Sequence, residues 1–130
     1  MSVDQQGIFI RQSQVNINRG SDKQFNIKLF DQDGNPFNLT NYVQFQICIK
    51  ISASNTLTIS ETANANGSTV DKDTPNELGR LLVDIKAADV ATLRVMEGQD
   101  IDLKIAKAAG AEPRTFHFNN VLNVFDNLCA

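Results

Sequence analysis

Residues 43–51 read Val-Gln-Phe-Gln-Ile-Cys-Ile-Lys-Ile, with Val43, Phe45, Ile47, Ile49 and Ile51 at odd positions and Gln44, Gln46, Cys48 and Lys50 at even ones. A strict period of two with β-branched residues on the apolar side is the pattern of a half-buried strand, because successive side chains of a strand point to opposite faces. A helix would scatter the same apolar residues around its circumference. This stretch is expected to be the central strand, and the rest of the chain to supply what covers its apolar face.

The same alternation recurs along the chain. Residues 14–18 alternate through Val15 and Ile17, and a turn at residues 19–22, Arg-Gly-Ser-Asp, follows. Residues 23–30 place Phe25, Ile27 and Leu29 on one face. These two segments read as consecutive strands of one sheet. Residues 31–36, Asp-Gln-Asp-Gly-Asn-Pro, carry the densest turn signal and reverse the chain as a hairpin turn. The spacing of Asp31, Asp33 and Asn35 touches on a calcium loop, but glycine falls at the fourth loop position and Pro36 at the sixth, where that loop needs glycine. A short strand is expected over residues 56–60, then a long exposed loop over residues 61–77, which hold almost no large apolar residue. Strand alternation resumes at residues 78–86, where Leu82 interrupts the polar face. Residues 87–93 form the one helical stretch, a short crossover between strands. Strands over residues 98–107 and 114–119, joined by a hairpin, and a final segment at residues 121–125 complete the pattern, with a bulge or a change of partner near Asn119 and Asn120.

About seven or eight closely spaced strands with one short helix describe an all-β fold, a β-sandwich, rather than an α/β fold. Residues 13–130 are expected to form this single domain. Residues 1–12 are expected to be an N-terminal arm or an edge strand, in which Gly7, Ile8, Phe9 and Ile10 form a short apolar run after a polar hexapeptide. As an arm, these four residues are a candidate subunit contact that would add to a neighbouring sheet edge.

Composition narrows the function. The 130 residues are 42% hydrophobic and 21% charged, ordinary for a globular domain. A net charge of −3 lacks the basic footprint of a nucleic-acid binder. The polar start has no basic and apolar regions of a signal peptide, and no apolar run approaches the roughly 20 residues of a membrane span. Synthesis in a cytoplasm is expected, with Cys48 and Cys129 as free thiols, since their spacing has no metal or redox pattern.

Catalytic chemistry has little to draw on. The single histidine, His117, lies between Phe116 and Phe118 and therefore faces away from the core, as a solvent or interface residue. The pairs Asp100 with Asp102 and Asp71 with Asp73 read as solvated faces without basic partners. There is no glycine-rich phosphate loop, no nucleophile elbow and no tryptophan for stacking sugars. The expectation is a protein that is not an enzyme and takes no metal, cofactor or small-molecule substrate.

Three pieces together resemble a known family: residues 16–22, Asn-Ile-Asn-Arg-Gly-Ser-Asp; residues 25–41, with Asp31-Gln32-Asp33-Gly34-Asn35-Pro36 and Leu39-Thr40-Asn41; and the strand from Val43. They resemble the immunoglobulin-like domains of tailed-bacteriophage virion proteins, in particular the N-terminal domain of the baseplate upper protein family. The family pattern has glycine where Asn41 stands, a replacement that still permits a left-handed backbone. The strand at residues 100–107 and the run from Phe116 and Phe118 into Val121, Asn123 and Val124 fit its end. The resemblance implies an immunoglobulin-like β-sandwich in a virion structural protein that binds other virion subunits or copies of itself, as capsid decoration or as a neck, tail or baseplate accessory. The alternative is a receptor- or glycan-binding module of a phage particle, with residues 61–77 as its binding surface.

Overall fold

The computed structural model describes residues 14–108 and 112–126, and the backbone of residues 8–11. Nine strands follow in order: β1 (Ile8–Arg11), β2 (Val15–Asn18), β3 (Lys23–Asp31), β4 (Gln44–Lys50), β5 (Thr56–Ser60), β6 (Thr69–Lys72), β7 (Arg80–Ile85), β8 (Met96–Ala106) and β9 (Arg114–Phe125). A 3-10 turn (Asn76–Leu78) precedes β7, and one turn of helix, α1 (Ala87–Val90), links β7 to β8. One sheet has four strands in the order β1-β3-β7-β6, and the other has five in the order β2-β9-β8-β4-β5. Adjacent strands are antiparallel except β2 and β9, which run parallel. Two sheets face to face, with the chain passing from one to the other after β1, β2, β3, β5 and β7, make an immunoglobulin-like β-sandwich.

The alternation of β4 does what its pattern requires. Phe45, Ile47 and Ile49 point inward and are fully buried against Ile27 and Leu29 of β3 and Leu81, Val83 and Ile85 of β7, all in one core. Each such side chain contributes about 2 kcal/mol by leaving water. Val43 departs from expectation: β4 begins at Gln44, and Val43 lies half exposed at its end.

Three further expectations are corrected. Strands β2 and β3 belong to different sheets, since β2 pairs along the far end of β9, with Val15 opposite Leu122 and Ile17 opposite Val124. The turn between them carries the chain across, with Gly20 at φ 103 and Arg19 donating its N–H to the Phe125 carbonyl at 3.0 Å. Residues 61–77 are not a structureless loop, because they contain β6, paired to β7 through Val70 opposite Val83. Asn41 does not adopt the left-handed backbone; among the described residues the non-glycine that does is Asn120, at φ 57, where the β8–β9 ladder slips register.

The turn at Asp31 is built by its own side chain, whose Oδ1 accepts the N–H groups of Asp33 and Asn35, each at 2.9 Å, while Gly34 takes φ 86. Phe30 and Pro36 bridge across it. Past this reversal the chain crosses between sheets at a corner where Leu39 is fully buried and donates its N–H to the Asn76 carbonyl at 3.0 Å. Asn38 Oδ1 accepts the Thr40 N–H at 2.9 Å and completes that corner.

Candidate functional site on the outer face of the five-stranded sheet

Ile101, Leu103 and Ile105 of β8 and Phe116 and Phe118 of β9 point into the core, so the residues between them must face outward. The register then sets Asp102 opposite His117 on β9 and opposite Cys48 on β4, which in turn lies opposite Thr58 on β5. Along β8, Asp100 stands on the same face as Asp102. Cys48, Asp100, Asp102 and His117 line a depression of about 600 Å³ that also takes in Lys50, Thr56, Arg94 and Met96.

His117 faces outward as its position between two phenylalanines requires, and it is half exposed. The acids beside it are not the partnerless solvated face expected from the sequence. His117 Nδ1 meets Asp102 Oδ1, and Nε2 lies 3.2 Å from Asp100 Oδ2. Asp100 Oδ1 also accepts the Asn120 N–H at 2.9 Å, which fixes the carboxylate at the bulge. An imidazole with a carboxylate on each nitrogen is favoured as the imidazolium, in which both nitrogens donate. The hydrogen bond to Asp102 raises the pKa of His117 above 6.5, with the charges of both aspartates adding to it and slight burial opposing it.

With both nitrogens engaged, the ring offers no free lone pair to a substrate proton, and the arrangement is an ion-pair cluster rather than an acid–base pair. Among the described residues no group of three His, Cys, Asp or Glu side chains is placed to hold a metal ion. A raised folded-state pKa contributes stability that is fully present below the unfolded value near 6.5 and is lost as pH rises through the folded value. The expected result is a wild-type melting temperature that falls modestly between pH 6 and pH 9. His117→Gln should be flat over that window, because half-exposed charges are screened and carry only a small effect. Proton NMR of the His117 ring should show a midpoint above 6.5, and a midpoint at or below it would contradict the cluster.

Of the candidate contact residues, Gly7 lies outside the described residues. The backbones of Ile8, Phe9 and Ile10 pair with Asp31, Phe30 and Leu29 of β3, so β1 is an edge strand of the four-stranded sheet, and among the described residues no strand pairs with its other side. Cys48 is a free thiol, its Sγ 3.9 Å from Thr58 Oγ1, and Cys129 lies outside the described residues.

The candidate binding segment at residues 61–77 is fastened at its first half. Asp89, on α1 and almost fully buried, accepts hydrogen bonds from Asn64 Nδ2 at 2.8 Å, Asn66 Nδ2 at 2.7 Å and Ser68 Oγ at 2.5 Å. Burial pushes the Asp89 pKa up, but these three bonds outweigh it and hold the carboxyl below the usual carboxylate range. The alternating polar run Asn64, Asn66, Ser68 was visible in the sequence, while its partner more than 20 residues onward had no local sign. No described helix is long and apolar enough to cross a membrane.

No family model matches the chain, and no curated protein matches its sequence. Among solved structures, it is similar to the RIG-5 IG1 homodimer, with a TM-score of 0.49 and 13% identity over 90% of this chain and 96% of that one. It is similar also to the titin Ig tandem domains A164-A165, with a TM-score of 0.47 and 8% identity over 93% of this chain and 50% of that one. Titin M4 gives a TM-score of 0.45 and 8% identity, over 92% of this chain and 96% of that one.

Proposed function

We propose that this chain is a non-enzymatic structural protein of a tailed-bacteriophage particle, made in the host cytoplasm, whose work is to bind other virion subunits at the capsid surface, neck, tail or baseplate. The reading rests on the residues that resemble the baseplate upper protein family. Those residues are spent on the corners of the sandwich: Arg19 and Gly20 where the chain passes from β2 to β3, Asp31 and Gly34 in the reversal, and Leu39 where it passes from β3 to β4. They hold shape and present no chemistry. The outer-face cluster likewise ties its histidine between two carboxylates. Function by contact fits such a body better than function by turnover, and many weak contacts repeated around a symmetric particle sum to strong attachment.

Chemical cross-linking of purified particles tests this. The account expects links from Lys28 or Lys104, which are both exposed on strands, to a second virion protein; particles that lack the chain would overturn it. The alternative, a receptor- or glycan-binding module, is disfavoured by Asn64 and Asn66, whose side chains are bound to Asp89 and not offered to a ligand. A glycan array is expected to show no binding, and a specific hit would favour that alternative.

A further inference from the structure

The five-stranded sheet ends on β5, and the neighbouring strand dictates which of its backbone groups are used. Glu61 donates its N–H to the Phe45 carbonyl at 3.2 Å, and Ile51 donates to the Asn55 carbonyl at 2.9 Å. Antiparallel ladders alternate strictly, so the β5 residues that exchange bonds with β4 are Leu57 and Ile59, opposite Ile49 and Ile47. The N–H and C=O groups of Thr56, Thr58 and Ser60 then point off the sheet edge, and none has a backbone partner among the described residues.

Nothing in β5 discourages a second strand. Thr56-Leu57-Thr58-Ile59-Ser60 has no charge, no proline and no bulge, which are the usual means of keeping an edge single. The β6 edge of the other sheet contrasts with it: β6 carries Asp71 and Lys72, and Lys72 Nζ reaches over the carbonyls of Leu39 and Thr40 at 3.4 Å.

We propose that β5 is the surface by which two copies of this chain join, antiparallel about a two-fold axis at Thr58. The occupant is argued from the strand itself, which is self-complementary about that residue. Thr58 meets Thr58, Thr56 meets Ser60 and Leu57 meets Ile59, so hydroxyls adjoin hydroxyls on the outer face and aliphatic side chains adjoin on the core side. The three outward-facing residues are the ones that fall in hydrogen-bonded register, giving about six N–H···O bonds across the axis. Beyond the ends, Asn55 of one copy comes opposite Glu61 of the other, an amide against a carboxylate. Two five-stranded sheets become one continuous sheet. Leu57 and Ile59 are already covered in the single chain, so the contact gains little apolar burial and is weak, with a dissociation constant between about 10 μM and 1 mM. The pairing is a property of the purified chain and holds or fails independently of any particle.

The test is sedimentation velocity of the full chain from about 5 μM to 1 mM, with amide NMR over the same range. The wild type should shift from monomer to dimer, and the amides of Thr56, Thr58 and Ser60 should move with concentration. Thr58→Pro removes an N–H that β4 does not use and should keep the chain monomeric with its melting temperature nearly unchanged. Thr58→Lys sets two like charges across the axis from an exposed position, and decides the matter should the proline variant fail to fold. A wild type that stays monomeric at 1 mM, or a lysine variant that dimerises as tightly as wild type, overturns the proposal.

Discussion

Replacing Gly79 with alanine is expected to destabilise the fold by about 3 kcal/mol or more, while the same change at Gly34 should cost only about 1 kcal/mol. Both glycines have positive φ, 63 at Gly79 and 86 at Gly34, so both substitutions carry the left-handed backbone penalty. They differ in what a Cβ would meet. At Gly34 there is nothing within 4 Å, whereas at Gly79 it would come within 2.6 Å of the Leu29 carbonyl oxygen, 2.7 Å of the Phe37 oxygen and 2.8 Å of the Phe37 nitrogen. All three are backbone atoms in a ladder that cannot move independently: Leu29 donates to the Gly79 carbonyl and Phe37 to the Leu29 carbonyl, each at 2.9 Å. Relief would need the reversal after β3 to lift off the start of β7. Urea denaturation of the two variants should separate them clearly, and equal losses would mean that the close approach at Gly79 is absent.

Asp89→Ala is expected to cost about 3 kcal/mol at neutral pH, because it strands the hydrogen-bond donors of Asn64, Asn66 and Ser68, of which Ser68 is fully buried. The damage should spread, since Ser68 Oγ also accepts the Lys86 N–H at 2.9 Å and so couples the start of β6 to the end of β7. Asp89→Asn keeps the shape but turns one acceptor into a donor facing donors, and should lose a comparable amount. The pH dependence follows from the lowered pKa. A carboxyl depressed in the folded state contributes stability that is present above its ordinary value, near 3.8, and is lost as pH falls through the folded value. The gap between wild type and Asp89→Asn should therefore be full at pH 7 and shrink below about pH 4. A gap that stays constant into acid would show that the carboxylate charge is not what fastens the segment.

The strands were legible wherever the apolar face is continuous. In β4 every second residue meets a core neighbour, so its period of two survives intact through Phe45, Ile47 and Ile49. In β6 only Val70 is fully buried in that way, and a single apolar residue among polar ones carries no period. Which sheet a strand joins was hidden for a different reason. The alternation of β2 is the same whether its partner is β3 or the distant end of β9, and its parallel pairing leaves no hairpin signal between them. At the outer face, the direction of His117 could be read from Phe116 and Phe118. Its carboxylate partners depend on the register of β8 against β9, which no local residue pattern specifies. Gly79 and Asp89 act through residues far along the chain, so their importance was visible only once the sheets had been placed.

We propose that this chain is a stoichiometric part of a phage particle. Quantitative mass spectrometry of purified virus particles, counting this chain against the major capsid protein, tests it most directly. The account predicts a fixed copy number: hundreds for a capsid decoration, or a small multiple of six for the neck, tail or baseplate, as the symmetry of closed assemblies requires. Absence of the chain from particles of full infectivity would contradict it.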